Sequence, residues 1–130
     1  MTNASLVLWL NGGPGSSSMF GLFGENGPLR VSRTGPNAGD LVVGLPESGG
    51  SWVDEGDILF VDQPVNTGFS YGDSYATTMD QIANDMVTFF TTFLFTTHPE
   101  YQTRDLIISG ESYAGKYLPG LATAIHKYNL

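Results

Sequence analysis

Apolar positions along this chain fall into two patterns. Three short continuous runs, within Ser5–Leu10, Asp57–Asp62 and Leu106–Ser109, each lead directly into a loop of small and polar residues. The first is expected of a strand covered on both faces of a parallel sheet, the second of another buried strand, and the third of a strand that ends at a turn. The second pattern is helical. Ile82, Met86, Phe89, Phe90, Phe93 and Leu94 recur at intervals of three and four and predict an amphipathic helix of about four or five turns. Thr77 or Thr78 can cap that helix, and His98-Pro99 ends it. A last helix is expected from about Tyr113 to His126, with Pro119 kinking or interrupting it. A shorter helix through Met19, Phe20, Leu22 and Phe23 has Ser16 to Ser18 as possible caps and Glu25-Asn26-Gly27-Pro28 as its stop. Leu29-Arg30-Val31 reads as a short strand, and residues 32–51, rich in Gly, Pro, Ser and Asn, as a surface excursion.

The order is therefore strand, loop and helix, strand, helix, strand, helix. That alternation predicts an α/β fold with a mostly parallel sheet, flanking helices and right-handed crossovers. Residues 1–130 make one domain. The first strand starts almost at residue 1, so a central position would require neighbours that the N-terminal side cannot supply. Ligand sites in such sheets lie beyond the carboxyl ends of the strands. The loops 11–15, 62–71 and 110–113 all follow strands, which gathers them on one edge.

Composition narrows the function classes. The net charge is −8 with only 5 Lys and Arg, too few cations to neutralise a phosphate backbone, so nucleic acid is not expected as a partner. An acidic membrane surface is disfavoured on the same ground, and no apolar run approaches the ~20 residues of a membrane span. With no cysteine there is no disulfide and no thiolate metal site. His98 and His126 are not spaced with carboxylates as metal ligands. No metal and no cofactor are expected. Met1-Thr2-Asn3-Ala4 lacks the basic and apolar regions of a signal peptide. Asn3-Ala4-Ser5 fits the glycosylation triplet, a pattern that also arises by chance.

The chemistry centres on Leu106-Ile107-Ile108-Ser109-Gly110-Glu111-Ser112-Tyr113-Ala114-Gly115. A strand runs into Gly-Glu-Ser and a helix follows, as in a nucleophile elbow. Small residues suit the crowded turn, and Ala114 stands where the usual G-x-S-x-G pattern has glycine. An acyl-transfer serine needs donors for the developing oxyanion. The amide of Tyr113 and the glycine loop after the first strand, Asn11-Gly12-Gly13, can supply them. The base is less evident. Tyr113 to Leu130 contain no Asp or Glu. His126 lies 14 residues along the helix, roughly 21 Å from Ser112. His98 precedes the elbow strand, towards the opposite edge of the sheet. These residues thus hold half of a catalytic site.

Four blocks carry a family resemblance. They are Trp9-Leu10-Asn11-Gly12-Gly13-Pro14-Gly15, Glu25-Asn26-Gly27-Pro28, Asp62-Gln63-Pro64-Val65-Asn66-Thr67-Gly68-Phe69-Ser70-Tyr71 and Gly110-Glu111-Ser112-Tyr113-Ala114-Gly115. In order and approximate spacing they resemble the serine carboxypeptidases over nearly the whole chain. The resemblance implies a partial α/β-hydrolase fold, incomplete because the family's catalytic Asp and His lie downstream of the serine. It makes Ser112 the nucleophile that releases C-terminal amino acids through an acyl-enzyme. Gly12 or Gly13 with Tyr113 would form the oxyanion hole. Asn11 and Glu111, with Glu25 against Glu111, would bind the substrate's terminal carboxylate. Two adjacent carboxyls hold one proton between them, and the protonated one can donate to a carboxylate; recognition is then expected to favour acidic pH.

Peptide or protein C-termini would be the partners, together with the missing C-terminal half of the domain. The location implied is the secretory pathway, a vacuole or lysosome, or the extracellular space. Trp9, Asn66, Thr67 and Tyr71 would border the cleft, although Trp9 and Tyr71 read equally well as core aromatics. Departures are Ser16 where the family usually has a disulfide-forming Cys, Asn66 where many members have Gly, and Lys116 where His or Gln is frequent. An acyltransferase or esterase on the same scaffold, and a non-catalytic module binding peptide C-termini, are the alternative readings.

Overall fold

The computed structural model describes residues 4–37, 39–47 and 49–130. Asn3 of the glycosylation triplet, and with it the start of the chain, lies outside the described residues. The elements in chain order are β1 Leu6–Leu10, α1 Met19–Gly24, β2 Arg30–Arg33, β3 Leu41–Gly44, a 3-10 turn Trp52–Asp54 and β4 Asp57–Phe60. There follow α2 Met79–Thr88, a π-helical stretch Phe89–Leu94, α3 Phe95–Thr97, a 3-10 turn Pro99–Tyr101, β5 Leu106–Gly110 and α4 Ala114–Tyr128.

The main sheet is parallel, in the order β4-β1-β5. The first strand is therefore central, with Leu8 opposite Leu59 on one side and Ile108 on the other. Alternate residues of β1 explain the core. Leu6, Leu8 and Leu10 point to one face. They meet Met86, Phe90 and Leu94 of the α2 and π segment, and Ala114, Tyr117 and Leu121 of α4. The helical spacing of one stretch and the pleat of another thus close on each other, in the α/β arrangement with flanking helices that the alternation predicted.

The three strands are not equally covered. The sequence predicted a strand buried on both faces at β1 and a second buried strand at β4; β1 is buried at four of its five residues, whereas Asp57 of β4 is exposed, and Ile107 of β5 is 49% exposed. The reason is position. Both are edge strands, and among the described residues the second face is covered mainly around Trp9, which packs edge-on against Trp52 with centroids 5.2 Å apart. The start of the sheet is tied by Arg104, whose guanidinium pairs with Asp57 and donates to the Ala4 carbonyl.

Two helices depart from expectation. Of the two threonines the sequence offered, Thr78 caps α2, in a capping box with Gln81. The regular α-helix then stops at Thr88, and Phe89–Leu94 widens into π geometry. Threonines explain the tolerance. Thr91 Oγ1 donates to the Val87 carbonyl and Thr92 Oγ1 to that of Thr88, satisfying acceptors in the widened turn. In α4, Pro119 lies inside the 15-residue helix without interrupting it. Pro119 and Gly115 both sit on the exposed face, so the carbonyl of Gly115, deprived of its usual donor, is left to water. The excursion at 32–51 also holds more order than its composition suggests. β2 and β3 form an antiparallel hairpin, with Arg30 opposite Gly44 and Arg33 opposite Leu41.

Candidate active site

The site is built where β1 and β5 end side by side. The register pairs Leu10 with Gly110, so the loops that follow emerge together. Glu111 N then donates to the Leu10 carbonyl at 3.1 Å, extending the contact beyond the strands. A Cβ on Gly110 would collide with that carbonyl and lie 2.7 Å from the Ala114 Cβ. Ala114 is fully buried. The turn therefore accommodates one methyl group at 114 because there is none at 110.

Ser112 has φ 54°, in the left-handed region. A non-glycine residue there costs of order 1–3 kcal/mol and persists only where its surroundings impose it. Here Ala114 N bonds the Glu111 carbonyl at 2.9 Å and Gly115 N bonds the Ser112 carbonyl at 3.0 Å, so α4 starts immediately and locks the turn. The Ser112 side chain faces solvent.

The glycine loop lies against this elbow. A Cβ on Gly12 would collide with Tyr113 N and sit 2.8 Å from the Glu111 carbonyl oxygen. Gly13 has φ +103°, which glycine adopts freely and other residues do not. Gly12 accepts from Ser16 N at 3.0 Å, which curls the loop back. Among the described residues the amides of Gly12, Gly13 and Tyr113 donate to nothing, so all three remain available as donors beside Ser112. Tyr117 ties the loop to α4: Gly15 N donates to its hydroxyl at 3.2 Å. Burial pushes the Tyr117 hydroxyl above its ordinary pKa, and that amide partly offsets the rise.

Asn11 is 2% exposed and joins three parts of the chain. Its Nδ2 donates to Glu25 Oε2 and to Glu111 Oε1, each at 3.0 Å. Its Oδ1 accepts from Trp9 Nε1 at 3.0 Å and Gly21 N at 3.1 Å. Two donor and two acceptor positions are all that a carboxamide has. The side chain is saturated and thereby fixed. The two carboxyls expected to pair thus converge on a single nitrogen of Asn11, one of them on the residue that precedes Ser112. Arg30 secures the approach of Glu25 by donating to the main-chain carbonyls of Glu25, Gly27 and Leu29.

Trp9 is a core aromatic whose ring nitrogen serves the site, while Tyr71 is 92% exposed and belongs to neither core nor network. Thr67 is buried, and Asn66, with φ 67°, accepts from Gly72 N at 3.0 Å within its own loop. The histidines stay apart from the elbow. His98 stands before β5, 3.4 Å from Glu100, and His126 is in the last turn of α4; both are exposed. Ser16 is half-buried and Lys116 exposed. Sequence reasoning assigned no role to Asp62 or Tyr117 and read Ser17 and Ser18 only as possible helix caps, yet all four bond into the glycine loop or the segment that follows it. The only local signal was the position of Asp62 just after a strand.

Comparison with known proteins agrees with this geometry. The family model described as serine carboxypeptidase matches residues 1–130. The chain is 52% identical over 125 residues to the pheromone-processing carboxypeptidase KEX1 of Leptosphaeria maculans, covering 95% of this chain and 18% of that protein. It is 45% identical over 130 residues to the probable serine carboxypeptidase CPVL of Mus musculus, covering 98% of this chain and 25% of that one. It thus spans 18% and 25% of these two relatives' length. With the elbow, the glycine loop and the Asn11 network in one cluster, and a family match over its full length, the chain belongs to the serine carboxypeptidase family.

Proposed function

We propose that residues 1–130 form one partial α/β-hydrolase domain holding the nucleophile half of a serine carboxypeptidase site. Ser112 Oγ attacks the carbonyl carbon of the last peptide bond. The C-terminal amino acid leaves with a proton, and water then cleaves the acyl-enzyme and restores the serine. The amides of Gly12 or Gly13 and of Tyr113 hold the oxyanion. Glu25 and Glu111, oriented by Asn11, receive the free carboxylate of the peptide, to which a protonated carboxyl can donate. The general base and its orienting acid come from outside these residues, since neither His98 nor His126 is near Ser112. The protein works in the secretory pathway, a vacuole or lysosome, or outside the cell.

The observation that carries this reading is the convergence of Glu25 and Glu111 on Asn11 beside a serine held at positive φ. A neutral ester would have no use for two carboxyls; a free carboxylate has. Two measurements test it. A Ser112→Ala protein should bind a peptide with a free C-terminus more tightly than the same peptide amidated. The 130-residue chain should react sluggishly with a fluorophosphonate and show no robust peptidase turnover. Vigorous Ser112-dependent turnover by the chain alone would mean that the base has been misassigned.

A further inference from the structure

Asp62 lies two residues beyond β4 and is the most heavily used acceptor near the site. Its Oδ1 accepts from Ser17 Oγ at 2.6 Å and from Ser18 N at 2.8 Å, and its Oδ2 accepts from Phe69 N at 2.9 Å. Its main-chain carbonyl accepts from Ser70 Oγ at 2.6 Å. Gly68 packs so closely that a Cβ there would collide with the carboxylate. One side chain therefore holds the loop that follows β4 against the segment that leads into α1. Charge-assisted bonds of this kind are shorter and roughly twice as strong as neutral ones.

The connection continues through Ser18, which is 1% exposed. The sequence offered Ser18 as a helix cap, but its hydroxyl makes no capping bond. It donates instead to the Val61 carbonyl at 2.6 Å and accepts from Asn11 N at 3.2 Å. The main chain of Asn11 is thus set by Ser18, while Trp9 and Gly21 set its side-chain oxygen. Ser18 is held in turn by Val61 and Asp62. Nothing in this relay reaches the space above Ser112.

We propose that Asp62 and Ser18 form a positioning clamp that aims Asn11, and through it Glu25 and Glu111, at the terminal carboxylate of a peptide. The proposal rests on the carboxylate-recognition reading given above. It makes Asp62 and Ser18 positioning residues that touch no substrate. Loosening them should degrade discrimination between a C-terminal acid and an amide, beyond any general loss of stability. In Ser18→Ala the Asn11 amide loses its acceptor. In Asp62→Asn the Oδ1 bonds can survive, but an N–H is turned towards Phe69 N–H.

The test uses the intact protein with Ser112→Ala, so that peptides bind without turnover. Calorimetric titration gives the affinity for a peptide acid and for its C-terminal amide. Ser18→Ala and Asp62→Asn should each lower the acid-over-amide ratio roughly five- to tenfold, the scale of one lost hydrogen bond. Ser17→Ala, which removes one of the three donors to the carboxylate, should lower it less. The affinity for the amide should stay within about twofold, which a merely structural role would not produce. Far-UV circular dichroism checks folding, and if Asp62→Asn fails to fold, Ser18→Ala and Ser17→Ala decide. If Asn11→Ala abolishes the ratio while Ser18→Ala and Asp62→Asn leave it intact, the clamp is overturned and the recognition reading stands. If the Ser112→Ala parent shows no preference for the acid, both fall together.

Discussion

Gly12 and Tyr113 come from distant parts of the chain and touch backbone to backbone, with no space for a Cβ between them. Gly12→Ala must push the glycine loop off the elbow. Overpacking of this kind costs about 1–3 kcal/mol. A urea titration should show a lower midpoint at unchanged slope, and an unchanged midpoint would show that the loop yields freely.

Ser112 at φ 54° stores strain that glycine would not feel. Ser112→Gly should therefore be more stable than Ser112→Ala by about 1 kcal/mol, even though glycine loses more backbone entropy on folding. Thermal unfolding of the two variants isolates the backbone effect, because both lack the hydroxyl. Equal melting temperatures would place Ser112 in an ordinary conformation.

Asn11 satisfies four groups, two of them carboxyl oxygens. Asn11→Ala orphans the Trp9 ring nitrogen and the Gly21 amide, at a cost of roughly 1–3 kcal/mol for each group left buried and unpaired. Asn11→Asp keeps the acceptor but brings a third carboxyl against Glu25 and Glu111. It should bind a peptide acid more weakly than Asn11→Ala does, as measured by calorimetry. Tighter binding by the aspartate variant would show that the two glutamates do not face that position.

Tyr117 should contribute to an alkaline limit of stability. Burial is the main cause of its raised pKa, against an ordinary value of 10.0. The unfolded chain ionises first, so the stability contributed by the neutral phenol is complete below pH 10 and is lost as pH rises through the folded value. Tyr101 is also shifted upward, mainly by burial and then by Asp57, and acts in the same direction. Tyr117→Phe should cost about 1 kcal/mol at neutral pH, because Gly15 N loses its acceptor. It should also flatten, without abolishing, the fall in urea midpoint above pH 10. A fall as steep as in the parent would assign the alkaline limit to other groups.

The parts legible in the sequence were those set by local chemistry. The run at β1 was too apolar for anything but a buried strand. Thr77 or Thr78 marked a helix start, and Gly-Glu-Ser after a strand marked an elbow, because small residues are needed wherever backbone meets backbone. The alternation of strands and helices followed from the same local preferences, and so did the gathering of the three loops on one edge.

What tertiary structure alone decided was which polar groups meet. Asn11 and Glu111 stand 100 positions apart, and only the pairing of Leu10 with Gly110 brings them within a hydrogen bond. Asp62 read as the end of a strand until Ser17, Ser18 and Phe69 closed on it from two loops. Pro119 and the threonines of the π stretch broke local rules without breaking their helices, because exposure left one carbonyl to water and hydroxyls satisfied others. Ile107 in the elbow strand is half exposed, since a strand's own residues cannot say which layer covers each of its faces. Local preference acts over a few residues and is written where it acts. Convergence depends on register and crossover, which belong to the whole chain at once.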